Sequence, residues 1–466
     1  MLCKTMAILA QPAQINWRPP SNGSVDSTTH PARCHWEEDA DADRCEDILR
    51  YVEESWDAQV TDIGFQAPIP DPDGILDVYL YQESAGGAFT ACNTYSDSDA
   101  ADGLSACAAY IALARSISSQ EMASYVAHEF NHVTQFATDF REPTYPIWEG
   151  VATAAEQWTY PEKLTPTVGY VVDYQDAPWA GISADGYFLW DVHQLWSYYE
   201  YGSALWVLHL DARYGDGAGA GGVALWEAAA QEGSENKPDV LDAYDAVTGG
   251  WQDALLSLSA ERVRIGTEDT PAWAAFTGTR AGLRIDQEVS AADLPAEIIP
   301  TVMPYTTGAT YARVTDIPEG MTITLAASVP GDTQWGVVAV SDSSERWEQG
   351  TVLSIEGPGD VVLGLVNLDH DDFHTSGTWP DMLSTQRDVS LSLSMAASEG
   401  ADTGTPGDSG MPDDSGESDD SGESDDIAIE QPSSPDAGCG AGCSTGGVGA
   451  GWLLAGLIGL TRRRRR

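Results

Sequence analysis

Two short segments of the chain carry side chains that could do chemistry together. His128-Glu129-Phe130-Asn131-His132 reads H-E-x-x-H, and Trp148-Glu149-Gly150-Val151-Ala152 adds a carboxylate after a gap of sixteen residues. Helix positions four apart share a face, so both imidazoles can turn toward one ion. For zinc the nitrogen distance is about 2.0–2.1 Å. Glu129 follows His128 directly and is badly placed to be a ligand. It is well placed to take a proton from water, whose pKa zinc lowers to about 7. Glu149 is the preferred third ligand. Glu156, two helical turns further on, is the fallback, or a hydrogen-bond partner behind a ligand histidine. The expectation is Zn2+ held by His128, His132 and Glu149, with Glu129 as general base for attack on a carbonyl carbon.

These residues need a scaffold. Ser118-Ser119-Gln120-Glu121 has the capping-box pattern and should open a helix running to about Thr138. Tyr125, His128, Glu129, His132 and Phe136 share one side of it, which should face a cleft. A second helix fits residues 147–158, and a helical region from about 187 to 265 packs through Trp196, Leu205, Trp206, Leu208 and Leu210. Upstream, Ile48, Leu49, Val52 and Trp56 have helical spacing across 43–56. Asp77–Tyr81 alternates as a strand behind the turn signal Asp71-Pro72-Asp73-Gly74, and Ala108–Ala114 is a second apolar strand. From about 285 the pattern becomes short β-type runs at 310–314, 322–325, 335–340, 361–366 and 389–393, separated by turn residues. That spacing predicts an antiparallel β-sandwich. The expected fold class is therefore an α+β catalytic domain followed by an antiparallel β-sandwich. A disordered acidic linker and a C-terminal membrane or sorting segment complete the chain.

The expected boundaries are a leader at 1–28, a zinc-site catalytic domain at 29–284, the β-sandwich at 285–396, the linker at 397–437 and the terminal segment at 438–466. At 466 residues the chain is too long for one ordinary domain. Residues 397–437 hold thirteen Asp/Glu and no Lys or Arg, and they repeat the unit Asp-Ser-Gly-Glu-Ser-Asp. Such a segment buries no core and repels itself. Beyond it lie Cys439 and Cys443 in a Gly-rich run, an apolar stretch to Leu460, and five arginines from Arg462. The apolar run is near the lower limit for crossing a bilayer, with the arginines marking the cytoplasmic end. The N-terminus offers a short leader, with Lys4 ahead of the apolar run Met6–Ala10.

The formal net charge is −51, and only Lys4, Lys163 and Lys237 represent lysine. Nucleic acid is excluded as a partner, because phosphate binding needs a cationic surface. Cys34, Cys45, Cys92 and Cys107 form an even set at short separations. Four cysteines allow three pairings, and proximity favours Cys34–Cys45 with Cys92–Cys107 in an oxidising compartment.

His128-Glu129-x-x-His132 with Trp148-Glu149-Gly150-x-Ala152 resembles the gluzincin metallopeptidases. The resemblance covers roughly residues 60–265. It implies a zincin-like catalytic domain, with His128, His132 and Glu149 as zinc ligands and Glu129 as base. Tyr199-Glu200-Tyr201-Gly202 is similar to the Tyr-x-Lys-Gly segment of the aminopeptidase branch, where the tyrosine stabilises the oxyanion. By that likeness Tyr199 is the candidate, although Tyr201 stands where the branch has Lys. The Gly-x-Met-Glu-Asn exopeptidase motif is missing, so an aminopeptidase activity is not supported, and the thermolysin-type Asn-Glu-x-x-Ser-Asp is missing too. The tail resembles the myxobacterial C-terminal sorting signal. It implies export, contact with membrane and sorting machinery, and retention at the cell envelope or release after processing near Cys439 or Cys443.

The function expected is a secreted or cell-surface zinc peptidase acting on protein or peptide substrates. The alternative is a surface adhesin or scaffold with a structural or inactive zinc site, in which Glu129 would have no task. Two acidic segments compete weakly as metal sites, Asp97–Gly103 as a calcium loop and Asp369–Asp372 with His374. Both read better as solvated loops. His193 and His209 lie among Trp and Leu and read as packing residues.

Overall fold

The computed structural model describes residues 18–82, 87–96, 106–140, 142, 144–162, 165–182, 184–195, 197–230, 238–265, 282–369 and 387–398. Asp97–Gly103, residues 370–386, and the linker and tail beyond 398 lie outside them. So does Trp196. No helix among the described residues is long and apolar enough to cross a membrane. The described residues have mixed α and β content with three β-sheets.

The N-terminal sheet is built from β1 (Gly23–Asp26), β2 (Ala32–Trp36), β3 (Leu76–Tyr81), β4 (Ala88–Ser96) and β5 (Ala106–Ala114), in the order β1-β2-β3-β5-β4. β2, β3 and β5 run parallel, while β1 and β4 pair antiparallel at the two edges. Helix α1 (Ala42–Ser55) makes the crossover from β2 to β3. β5 is buried at every position, as expected of an interior strand without polar alternation. Helix α2 (Met122–Thr138) packs on it and on α1. Ile48, Leu49 and Val52 of α1 share one apolar cluster with Val78, Ile111, Val126 and Phe130. Disulfides tie Cys34 of β2 to Cys45 of α1, and Cys92 of β4 to Cys107 of β5. Both are the pairings that proximity favours.

The fold differs from the sequence expectations at two places here. Composition puts residues 23–26 in an unstructured leader, yet they pair with β2 from Gly23↔Trp36 to Asp26↔Arg33. Backbone pairing at a sheet edge makes few demands on side chains, so a polar, Gly- and Ser-containing segment hides it. Arg18 adds ion pairs to Asp71 and Asp77. The second difference concerns α2, which is buried on nearly all sides rather than along one face. Its Ala123, Ala127 and Ala137 let neighbours approach where a polar face would have been solvated. The Ser118 hydroxyl accepts from the Glu121 N–H at 3.3 Å and donates to its Oε2, so the cap forms in the turn just ahead of the helix.

The helical body follows as α3 (Tyr145–Thr159), α4 (Thr165–Asp176), α5 (Gly186–His193), α6 (Tyr199–Gly202), α7 (Ala204–Tyr214), α8 (Ala220–Ala229), α9 (Val240–Thr248) and α10 (Trp251–Glu261). Its starts are locally encoded. Pro146 occupies the first turn of α3, Asp185 caps α5 by accepting from Phe188 N–H at 2.8 Å, and Asp239 with Asp242 forms a capping box on α9.

Two further sheets come from β6 (Gln287–Ser290), β7 (Ala296–Ile298), β8 (Ala309–Ile317), β9 (Met321–Ser328), β10 (Trp335–Ser341), β11 (Glu345–Gln349), β12 (Val352–Glu356), β13 (Gly359–Asn367) and β14 (Ser390–Ala397). Their orders are β11-β10-β13-β8-β6 and β12-β9-β14-β7. Pairing is antiparallel except between β6 and β8, which run parallel. Val337, Ala339, Leu363 and Leu365 of the first sheet share a cluster with Ile323, Leu325, Leu353 and Leu391 of the second. The alternate residues Val338, Val340, Val362 and Val366 join the cluster of the helices instead. The five-stranded sheet is thus covered on both faces, by the other sheet and by helices. At Gly336 a Cβ would run into the Leu256 side chain of α10, and Tyr311 donates to Ser259 O at 3.0 Å across the same layer boundary.

Candidate metal centre

α2 and α3 lie side by side and bring the two motifs together. Close packing of α3 is aided at Gly150, where a Cβ would collide with the Ser203 hydroxyl. Among the described residues, His128, His132 and Glu149 form a group whose ligand atoms all lie within 4.8 Å of one another. His128 Nε2 is 3.1 Å from Glu149 Oε2 and 3.1 Å from His132 Nε2, and His132 Nε2 is 3.7 Å from the same carboxylate oxygen. Tetrahedral zinc at its usual ligand distances needs edges of about 3.3 Å. The three observed edges bracket that value.

The far sides of the rings are also engaged. Glu156 Oε1 sits 2.9 Å from His128 Nδ1, so Glu156 backs this ring rather than joining the ligand group. Gln135 Oε1 is 2.6 Å from His132 Nδ1. Glu149 Oε1 is buried and has no hydrogen-bond partner, an orphaned acceptor on the carboxylate that faces both rings. Two imidazole nitrogens and a carboxylate converging in a buried space, with one acceptor unsatisfied, form a donor set that fits a divalent cation such as zinc.

Electrostatics favour the same reading. Burial would push His128 down, but hydrogen bonds to Glu149 and Glu156 carry it well above the ordinary imidazole range. Burial would push Glu149 up, yet His128 and then His132 hold it well below the carboxylate range. Without metal, the site is therefore a buried ion pair with a proton on His128. A cation must expel that proton, while Glu149 has none to lose. Affinity should thus rise about tenfold per pH unit up to the raised pKa of His128. Chelator competition at pH 6, 7 and 8 reads the slope, and an affinity that does not change with pH would contradict it.

Glu129 is fully buried, and burial raises its pKa. The Thr90 hydroxyl of edge strand β4 lies 2.8 Å from its Oε2 and 2.9 Å from its carbonyl oxygen. Behind the motif, Gln59 sits in a π-helical segment, Trp56–Ile63. It donates to the carbonyl of Ala127 at 2.9 Å and accepts from Asn131 Nδ2 at 3.2 Å.

Tyr199, the expected oxyanion stabiliser, belongs to α6. Its ring is buried in the helical cluster and stacks on Tyr174 at 4.6 Å. Tyr201, two residues on, has its ring 5.7 Å from His128 and 4.7 Å from Tyr170. In a helix, positions two apart point different ways, so the two rings have different neighbours. Between them, Glu200 accepts from Gly186 N–H at 2.7 Å; burial, then Asp185, pushes it up to about 8. It is largely neutral at pH 7 and adds little charge beside Glu149.

His193 packs against Trp179, Phe188 and Tyr305, and His209 pairs with Glu261 at 3.0 Å. Asp369, the described member of its acidic cluster, pairs with Arg387 at 3.2 Å. Sequence reasoning misses Gln135, Thr90, Gln59 and Tyr201 as partners of the site. Of these, only Gln135 carries a local signal, one helical turn after His132.

No protein-family model and no curated protein matches the chain. Among solved structures it is similar to a family GH115 4-O-methyl-alpha-glucuronidase with specificity for decorated arabinogalactans, at 8% identity and a TM-score of 0.13, covering 59% of this chain and 41% of that one. A likeness so slight carries no argument about fold or activity.

Proposed function

We propose that the chain is a zinc-dependent peptidase with a zincin-like catalytic body and a C-terminal β-sandwich that is antiparallel except at the β6–β8 pair. The observation that carries the proposal is the convergence of His128, His132 and Glu149 on one buried point, with Glu129 on the same helix. Zinc, when bound, would polarise a carbonyl and acidify water. His128 and His132 would present their Nε2 lone pairs, and Glu149 would supply the negative charge. Glu129 would accept the proton from water at a carboxylate oxygen, with Thr90 fixing that carboxylate. The role expected of Tyr199 passes in this proposal to Tyr201, whose ring lies beside His128.

Tyr201→Phe is expected to lower kcat by about 100-fold, the usual cost of one oxyanion donor. Tyr199→Phe should leave kcat within a few-fold. Steady-state kinetics on a peptide substrate separates the two, and equal losses would return the role to neither.

The two disulfides fit an oxidising compartment. With the sorting-type tail read from the sequence, they support export and retention at the cell envelope. The substrates proposed are proteins or peptides, and the strongly acidic composition argues against nucleic acid.

One observation favours a second reading. His128, His132 and Glu149 are 3%, 1% and 0% exposed, which leaves a substrate little access to the point they share. A scaffold or adhesin with such a site would need no base. Casein hydrolysis before and after chelation decides between them. A peptidase loses activity with the metal and regains it when zinc is returned; a chain that binds zinc and cleaves nothing is the scaffold.

A further inference from the structure

Gln135 lies one turn beyond His132 on α2, is fully buried, and makes two hydrogen bonds of opposite polarity. Its Nε2 lies 3.2 Å from the carbonyl oxygen of Trp148, and its Oε1 lies 2.6 Å from His132 Nδ1. A carbonyl oxygen can only accept, so the amide NH2 must face Trp148. The amide orientation is thereby fixed, and Oε1 is left to face the imidazole. Since Oε1 also can only accept, His132 Nδ1 must carry the hydrogen. In the neutral ring the lone pair of His132 then falls on Nε2, on the side of His128 and Glu149.

Trp148 immediately precedes Glu149. One side chain therefore holds a histidine on α2 and the backbone next to a carboxylate on α3. Trp148 is itself anchored, with its indole donating to Glu142 O at 2.9 Å and its ring 6.2 Å from that of His132. The two histidines are held differently. Glu156 gives His128 a carboxylate from α3, whereas His132 receives a neutral amide from its own helix.

We propose that Gln135 is a positioning residue that sets the tautomer of His132 and clamps it in register with Glu149, so that two ligands from different helices are placed as one unit. The metal gains because the geometry exists before it arrives. A partner of this kind behind a ligand is worth about 10–100-fold in metal affinity.

The inference rests on the zinc reading of the site, and the experiment keeps the two apart. Zinc affinity is measured by chelator competition for wild type, Gln135→Leu and Gln135→Glu, alongside melting of each metal-free protein. Nitrogen-15 NMR of the imidazoles reports the tautomer. Wild type that binds no zinc removes the zinc reading itself. If it binds, Gln135→Leu is expected to bind about 10–100-fold more weakly and to show a mixed His132 tautomer. Gln135→Glu, which keeps an acceptor at Nδ1, should restore that tautomer and recover part of the affinity, and it serves if the leucine variant fails to fold. The inference is overturned by wild-type affinity in Gln135→Leu, by an unchanged tautomer, or by a glutamate variant no better than the leucine one.

Discussion

Glu129→Gln is expected to lower peptide hydrolysis by about 1,000-fold, within the usual range for removing a general base, while the protein keeps its zinc. The substitution changes one oxygen to an amide nitrogen and preserves volume. The ligand group and its backing partners Glu156 and Gln135 are untouched. Thr90 can still donate to the remaining carbonyl oxygen. Burial disfavours the charged form of Glu129, so a neutral amide there should not lower the melting temperature. Zinc content, melting and turnover measured on one preparation give the answer. Retained zinc with undiminished turnover would remove Glu129 from the reaction, and zinc lost along with turnover would leave the assignment unsupported.

Glu149→Gln is expected to weaken zinc binding by more than about 100-fold, because losing a ligand costs more than losing a partner behind one. It also unsettles the metal-free protein. Glu149 is the buried counter-charge of His128, and breaking such a pair by removing one member costs about 3–5 kcal/mol. The pH dependence has a definite sign. The depressed pKa of Glu149 stabilises the fold above its unfolded value near about 4.3, and that is lost as pH falls through the folded value. The raised pKa of His128 stabilises fully below its unfolded value near about 6.5, and that is lost as pH rises through the folded value. The stability gap between wild type and variant, both free of metal, should therefore be widest between about pH 4.3 and 6.5. Denaturant melts across pH 3–9 would show it, and a gap that stays constant would mean the pair is not ionised as described.

Much of the site is legible in the sequence because its pieces are local. H-E-x-x-H occupies one helix, and the spacing to Glu149 needs only a second helix beside it. The neighbours are legible in proportion to their distance along the chain. Gln135 sits three positions from His132, and helical geometry alone can nominate it. Thr90 reaches Glu129 from a sheet edge 39 residues away, and Gln59 reaches Asn131 across 72 residues. No pattern in either segment announces such a contact. Tyr199 and Tyr201 show a different limit, since a likeness supplies a segment but helix phase decides which ring meets His128.

The same contrast holds for the fold. α1, α2, α3 and β3 are visible through the spacing of their side chains, and β5 as an unbroken apolar run. β1 and β2 are not, because their Ser, Asp and Arg residues resemble loop. The run Trp335–Val340 has no polar residue at alternate positions, the mark of a strand covered on both faces. Spacing alone suits it to one wall of a sandwich, whereas its other face packs on the helices.

That doubly covered sheet bears on how the chain can change over generations. A composition boundary near 285 looks like a seam where one module could be exchanged for another. Val338, Val340, Val362 and Val366 are moulded to the helices, and Gly336 leaves room for Leu256. A recombination event that replaced the strands after 285 would have to reproduce this relief or leave the helices' apolar side facing water. The helices and the strands must therefore be inherited together.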